Sequence, residues 1–376
     1  MNFTRQTPFH HQQAALGAEF VDRYGFAAAA HYGSVEAEHA ATRSAVGVFD
    51  VYYQTMIDVQ GPDALALLQS VTVNDLSRLA PGSALYTSLC NERGGIVDDL
   101  TLFCLGRSHY WLCPTPSRVA KVEAWLNLHR DGREAGVVPL GYRNAYLSVQ
   151  GPNSRTLLSR LASADLSDAA LEYFRFTWDD VAGVPGTMVS RTGYSGELGF
   201  ELFFPSEYAA HMWERLFEAG QDLGIRPCGL GALVTLRMEK KYPLYGADLT
   251  EEISPLEAGL SWTVKLDKGP FVGRQALAEQ RRTGVERRLV QFVFADMSAD
   301  VAPGDRVIWG GGTIGTLTSV AKGFTVGRTL ALGYVASAAA VDGTDVAIQA
   351  KAGLVPAVVN NAPLYDPERK RLLGRE

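Results

Sequence analysis

Cysteine is scarce: Cys90, Cys104, Cys113 and Cys228 are the only four in 376 residues, and no two are spaced CxxC. That excludes a disulfide scaffold and a zinc ribbon, and it reads as buried thiols in a reducing compartment. Histidine is scarce as well. Seven are scattered along the chain, the adjacent pair His10-His11 lies near one end, and no HExxH occurs, so no metal site is expected. No run of like charge interrupts a net charge of -6, which argues against a nucleic-acid partner. No apolar stretch approaches the roughly 20 residues of a membrane helix. The first residues, Met1-Asn2-Phe3-Thr4-Arg5-Gln6, lack the basic-then-apolar order of a secretory leader, so the expected location is cytoplasmic. No G-x-G-x-x-G opens a helix after a strand, which excludes a dinucleotide domain. Gly193-Tyr194-Ser195-Gly196 is not a hydrolase elbow, because Glu197 stands where that turn needs glycine.

What is present is an ample apolar fraction, 47%, with 38 glycines and 17 prolines spread evenly. This fits an enzyme-sized chain of two or three domains with many turns. The sequence also repeats itself. Val59-Gln60-Gly61-Pro62-Asp63 with Leu67-Leu68 recurs as Val149-Gln150-Gly151-Pro152-Asn153 with Leu157-Leu158. Each copy reads as strand, glycine break, proline opening a helical turn, then leucines at helical spacing. Each leads to a glycine-marked hairpin, Asn91 to Phe103 and Arg191 to Phe203, with acids where the strand leaves the turn. Strand alternation sends Asp98 and Asp99 to opposite faces, so only one of them should enter a given pocket. An Asp-Asp step in such an apolar strand conflicts with β-propensity, and such conflicts gather at functional sites.

Ser206 is placed to cap a helix whose apolar face holds Tyr208, Ala209, Met212, Trp213 and Leu216. Arg237, Glu239, Lys240 and Lys241 on the helix Leu230 to Lys241 read as a solvated charged face. From about Arg287 the texture changes to short alternating strands and glycine turns, which predicts a small β-barrel. The charged stretch Glu279 to Gly284 marks the boundary, giving a duplicated α+β region over 1–280 and a barrel over 281–376.

Taken in order, these blocks resemble the glycine-cleavage T-protein superfamily. The similar stretches include Val46-Gly47-Val48-Phe49-Asp50-Val51, Asn91 to Leu100, Gly193 to Glu197, Leu236-Arg237-Met238-Glu239-Lys240, Ser254 to Leu260 and Pro363-Leu364-Tyr365. The resemblance implies an α+β fold: a three-domain ring of duplicated units around a central cavity, with a C-terminal barrel. It implies tetrahydrofolate as the cofactor and transfer of a methyl or methylene group to or from a small N-, O- or S-methylated substrate. Asp99 looks like the catalytic aspartate of that family. Tyr86, Tyr194, Glu201 and Trp262 match cofactor-binding positions, with Glu201 as the carboxylate that grips the pterin. Asp99 and Glu201, on strands taken as equivalent in the repeat, are expected to enter the cavity from opposite sides.

The departures from that pattern carry information too. Where the family has Ala-Arg-Asp before the Leu-Arg-x-Glu helix, this chain has Ala232, Leu233 and Val234. Where it has Ser-His-Met, this chain has Tyr52, Tyr53 and Gln54, which places Tyr53 and Gln54 at a neutral, aromatic substrate mouth. Tyr242 and Gly246-Ala247-Asp248-Leu249 are closer in style to folate-dependent demethylases and to the folate domains of dimethylglycine and sarcosine dehydrogenases. A lipoyl carrier or an oxidase partner is left open. Two other readings stay beside this one: a scaffold that has lost folate, and a non-catalytic folate-binding protein of the iron–sulfur branch. The motif of that branch needs a cysteine that the stretch Lys268 to Arg274 lacks.

Overall fold

The structure is a computed structural model and describes residues 4–375. Met1 to Phe3, part of the stretch read for a leader, lie outside the described residues, as does Glu376. Two large sheets face each other. One has five strands in the order Ser83–Cys90, Ile96–Gly106, His109–Cys113, Met56–Gln60, Gly136–Gly141. The other has six: Phe176–Val181, Val184–Ser190, Gly199–Pro205, Asn144–Gln150, Val46–Asp50, Ile225–Cys228. The repeat is visible in this order, since each repeat strand lies beside the last of the three strands that follow it. Among the described residues no helix is long and apolar enough to cross a membrane.

The glycines of the repeat explain its conservation of form within the chain. Gly61 and Gly151 sit at φ 134° and 127°, and a Cβ on either would meet a backbone oxygen, of Glu134 at 2.3 Å or of Ala45 at 2.5 Å. Only glycine fits such an approach. The helices begin at Ala64 and Ser154, two residues after each proline, so the prolines shape the entry turn rather than the first helical residue. Leu67, Leu68, Leu157 and Leu158 are all fully buried beneath their sheets. The two hairpins, however, are not equivalent. Strand order pairs Ile96–Gly106 with Val184–Ser190, and it pairs Glu201's strand with His109–Cys113. Asp99 and Glu201 therefore stand on non-equivalent strands; the alikeness of their glycine turns was local.

Two helices also differ from expectation. Ser206 does not cap; its Oγ donates to the Tyr142 carbonyl at 3.0 Å while a 3-10 turn leads into Ala209–Ala219. The expected face of that helix is buried through Ala209, Met212, Trp213 and Leu216. On Leu230–Glu239 and the residues just after it, Arg237, Glu239 and Lys240 are buried, not solvated. Arg237 pairs with Asp248 at 2.8 Å, Glu239 with Arg43 at 2.8 Å and Lys240 with Asp366 at 3.2 Å. This helix is enclosed on several sides, so its charges are matched by partners instead of water.

Between the sheets lies an apolar layer in which Phe103 and Phe203 meet at 5.8 Å and Tyr146 packs on Phe203 at 4.2 Å. A closed six-stranded barrel runs from Arg287–Val293 to Gly353–Asn360 around Phe292, Leu317, Val335 and Ile348. The helix Arg274–Thr283 precedes it, so the chain turns toward the barrel at Gly284, a few residues past the expected break at 280. A small sheet of Arg5–Gln6, Phe26–His31 and Glu19–Arg23 completes the fold.

Candidate active site

The facing sides of the two sheets carry the polar residues of interest. In Ser83–Cys90 and Ile96–Gly106, Ser88 is paired with Asp99 and Tyr86 with Thr101. Alternation puts these four on one face. On the opposing sheet Glu201 pairs with Ser148 on one side and Ser190 on the other.

Tyr86 Oη donates to Asp99 Oδ2 at 2.7 Å, and Asp99 Oδ1 is buried with no hydrogen-bond partner. Burial pushes the Asp99 carboxyl up to about 6; the Tyr86 hydrogen bond opposes that and the negative charge of Asp248 adds to it. Asp98 turns to the other face and accepts the Thr115 backbone N–H at 2.9 Å; burial, then Asp99, hold its carboxyl well above the usual range. Trp262 stacks on Tyr86 with ring centroids 5.9 Å apart, yet remains 57% exposed. Tyr194 stacks on Tyr242 at 5.7 Å and donates to the Pro243 carbonyl at 2.6 Å. Burial raises its phenol, which also lies in the field of Arg237, Asp248 and Asp99.

Glu201 accepts from Thr192 Oγ1 at 2.5 Å and from the Tyr146 hydroxyl. Burial raises its carboxyl while those two hydrogen bonds pull it back. Thr192 is itself held by Ser190 at 2.7 Å. Cys113 lies on the floor between the sheets, in the field of both Glu201 and Asp98. The structure thus gathers Asp99, Tyr86 and Trp262 into one cluster with Tyr194 in electrostatic reach, and sets Glu201 in a second cluster on the facing sheet.

The two residues expected at the substrate mouth lie in and beside the apolar layer between the sheets. Tyr53 is only 5% exposed and packs with Tyr24 at 5.8 Å. Gln54 Oε1 is 3.9 Å from Cys113 Sγ and borders a void of about 10 Å³ with Met56 and Tyr146, room for one water. The sequence placed Arg237 on a solvated face and gave Asp248 no role of its own. Asp248 accepts from Arg237, the Leu244 N–H at 2.9 Å and Ser319 at 2.7 Å, and its charge acts on Asp99. The signal was a helix whose apolar and charged residues do not segregate to separate faces, as happens when more than one face is buried.

Comparison with known proteins bears on what this arrangement does. A model of the GCVT N-terminal domain matches residues 9–268, and the glycine cleavage T-protein C-terminal barrel domain matches residues 287–366. An aminomethyltransferase of Halothermothrix orenii is 38% identical over 92% of this chain and 95% of its own length. An aminomethyltransferase of Moorella thermoacetica is 38% identical over 97% of this chain and 99% of its own. A crystal structure of the glycine cleavage system aminomethyltransferase T from Bartonella henselae superposes with a TM-score of 0.87. It is 28% identical and covers 97% of this chain and 99% of that one.

Proposed function

The chain belongs to the glycine-cleavage T-protein, or aminomethyltransferase, family, and from that premise we propose that it transfers an aminomethyl-derived one-carbon unit from a lipoyl carrier protein to tetrahydrofolate. It is a folate-dependent one-carbon transferase. The lipoyl donor is supported by the likeness to aminomethyltransferases, and the observation that carries folate binding is the free oxygen of Asp99. A buried carboxylate oxygen without a partner costs free energy, and a ligand N–H removes that cost. The residues therefore fit a folate: Asp99 and Tyr86 would hold its reactive end, Glu201 its amino-pyrimidine edge, and Trp262 its ring plane. When bound, tetrahydrofolate supplies the nitrogens that accept the one-carbon unit.

In this arrangement Asp99 orients the acceptor and offers a proton site that burial raises to about 6. Tyr86 fixes the carboxylate so that Oδ1, not Oδ2, meets the substrate. Arg237 holds Asp248 in place as a fixed negative charge behind Asp99. The proposed compartment is the cytoplasm.

A second donor, a small N-, O- or S-methylated compound, is favoured by one feature. Leu233 packs into the apolar layer and Val234 is 37% exposed, where the resemblance leads one to expect an Arg-Asp pair. One assay separates the two. The protein is given tetrahydrofolate with an aminomethyl-loaded lipoyl protein, or with methylated amines, sulfonium compounds and aryl methyl ethers. Methylenetetrahydrofolate and ammonia from the first supports aminomethyl transfer. Methyltetrahydrofolate from the second overturns it in favour of demethylation. Calorimetric titration with tetrahydrofolate, expected to weaken in Asp99→Ala and Glu201→Ala, tests the cavity itself; no binding by the unaltered protein sinks both readings.

A further inference from the structure

The small N-terminal sheet carries a feature that the transfer chemistry does not use. Its register sets Arg5 opposite Phe26 on one side and Arg23 opposite the same Phe26 on the other. Register partners share a face, so two guanidiniums flank one buried phenylalanine in a row, their Cα atoms about 10 Å apart. Arg5 lies over the rings of Phe26 at 4.8 Å and Tyr142 at 5.3 Å. Arg23 lies over Tyr24 at 4.5 Å. The hairpin that presents them turns on Tyr24 and Gly25, both at positive φ, 56° and 81°. A non-glycine residue in that conformation is uncommon and holds Tyr24 in its place beside Tyr53.

Among the described residues neither arginine is paired with an acid. Among the described residues no ion pair or side-chain hydrogen bond involves Arg5 or Arg23, and the Arg23 Nε is buried without a partner. The nearby acids are engaged. Asp22, its side chain on the other face, accepts the Gly25 N–H at 3.2 Å, and Glu19 pairs with His31 at 3.5 Å. Asp50 is taken by Thr7 at 2.6 Å and Gln13 at 2.9 Å. In a protein of net charge -6, two guanidiniums that have no acid partner among the described residues and lie over aromatic rings can receive an anion. The planar fork of each suits a carboxylate.

We propose that Arg5 and Arg23 form a carboxylate-binding subsite, with Phe26 as its floor, that takes the carboxylate end of a bound substrate. The link to the transfer site is Tyr53: it packs at 5.8 Å on Tyr24, the ring that Arg23 covers, it shares one apolar layer with Phe26 and Tyr146, and its neighbour Gln54 borders the void that Tyr146 and Cys113 line. The carboxylate belongs either to the glutamate end of the folate or to the one-carbon donor. Only this assignment of the ligand rests on the transferase reading; the anion site does not.

The full-length protein is titrated with glutarate and with its neutral diamide at low ionic strength, beside Arg5→Gln, Arg23→Gln and Arg23→Lys. Glutarate is expected to bind, to weaken about tenfold in either glutamine variant and least in Arg23→Lys, while the diamide does not bind. Equal binding of glutarate and diamide, or glutarate binding untouched in both glutamine variants, overturns the subsite. Circular dichroism confirms that each variant is folded. Tetrahydrofolate and tetrahydropteroate, which lacks the glutamate, then identify the source. Loss of affinity in Arg23→Gln for the first alone assigns the folate tail. A raised KM for the donor with both pterins unaffected assigns the donor. Glutarate binding without any tetrahydrofolate binding would leave the subsite standing and remove the folate reading. Tetrahydrofolate binding that needs Glu201 but neither arginine, with no glutarate binding, would do the reverse.

Discussion

The chemistry proposed for the site turns on how one carboxyl is set. Asp99 is drawn toward its neutral form by burial, and the Tyr86 hydroxyl holds it back toward the charged form. If the carboxylate is the working species, kcat/KM falls through an acid limb near pH 6, tenfold per unit below it. Tyr86→Phe removes the hydrogen bond that favours the charged form, so the limb should move to higher pH; a limb that stays put would show that another group sets it. The same shift has a stability consequence. The folded-state value lies above the unfolded one of about 3.9, so the fold bears the cost of a buried charge above pH 6. It is relieved of that cost as the pH falls toward 4. Asp99→Asn should therefore stabilise the protein at pH 8 by about 1–3 kcal/mol, and the advantage should shrink toward zero at pH 4. Urea midpoints at the two pH values measure it.

At the scale of elements, the repeat glycines test whether the two units are built alike. Gly151→Ala places a methyl 2.5 Å from the Ala45 oxygen at φ 127°, and Gly61→Ala does the same against Glu134. Each should cost about 2–4 kcal/mol. Gly132→Ala, at φ 70° with nothing within 4 Å, should cost about 1 kcal/mol, the strain alone. Denaturant midpoints of the three rank the effects, and equal losses at all positions would rule out the steric account. These glycines were legible in the sequence because a strand, a break and a helix recur at one offset. The barrel was legible from its alternation. The positions of Asp99, Tyr86, Trp262 and Glu201 came from resemblance, since nothing in a strand's pattern says what lies across a cavity. The buried charges of Leu230–Glu239 were not legible, because their partners include residues far away in sequence: Glu239 is matched by Arg43, and Arg237 by Ser319 as well as by Asp248 eleven residues on. A charged residue shows its solvated alternative in the sequence and its partner only in the fold.

The whole molecule is closed by its C-terminal segment. After the barrel the chain returns to the second unit, where Asp366 receives Lys240, Arg371 meets Glu197 at 3.2 Å and the Leu372 carbonyl accepts from Arg191 at 2.8 Å. Glu197 is also held by Arg43 at 3.1 Å and by the Tyr365 hydroxyl. These contacts brace the loop that carries Thr192 and Tyr194, so the segment ties the barrel to the six-stranded sheet. Removing residues 363–376 would leave Lys240 buried without its acid and Glu197 with one cation fewer. Breaking a buried pair from one side costs about 3–5 kcal/mol, whereas surface pairs cost little. The truncated protein should unfold at a clearly lower urea concentration, and its tetrahydrofolate affinity should fall because Thr192 no longer holds Glu201 in register. Arg282→Ala, which breaks only an exposed pair with Glu279, is the control and should leave both unchanged. A truncated protein with normal stability and normal affinity would mean that the fold closes without its last segment, and that the loop is positioned by its own sheet.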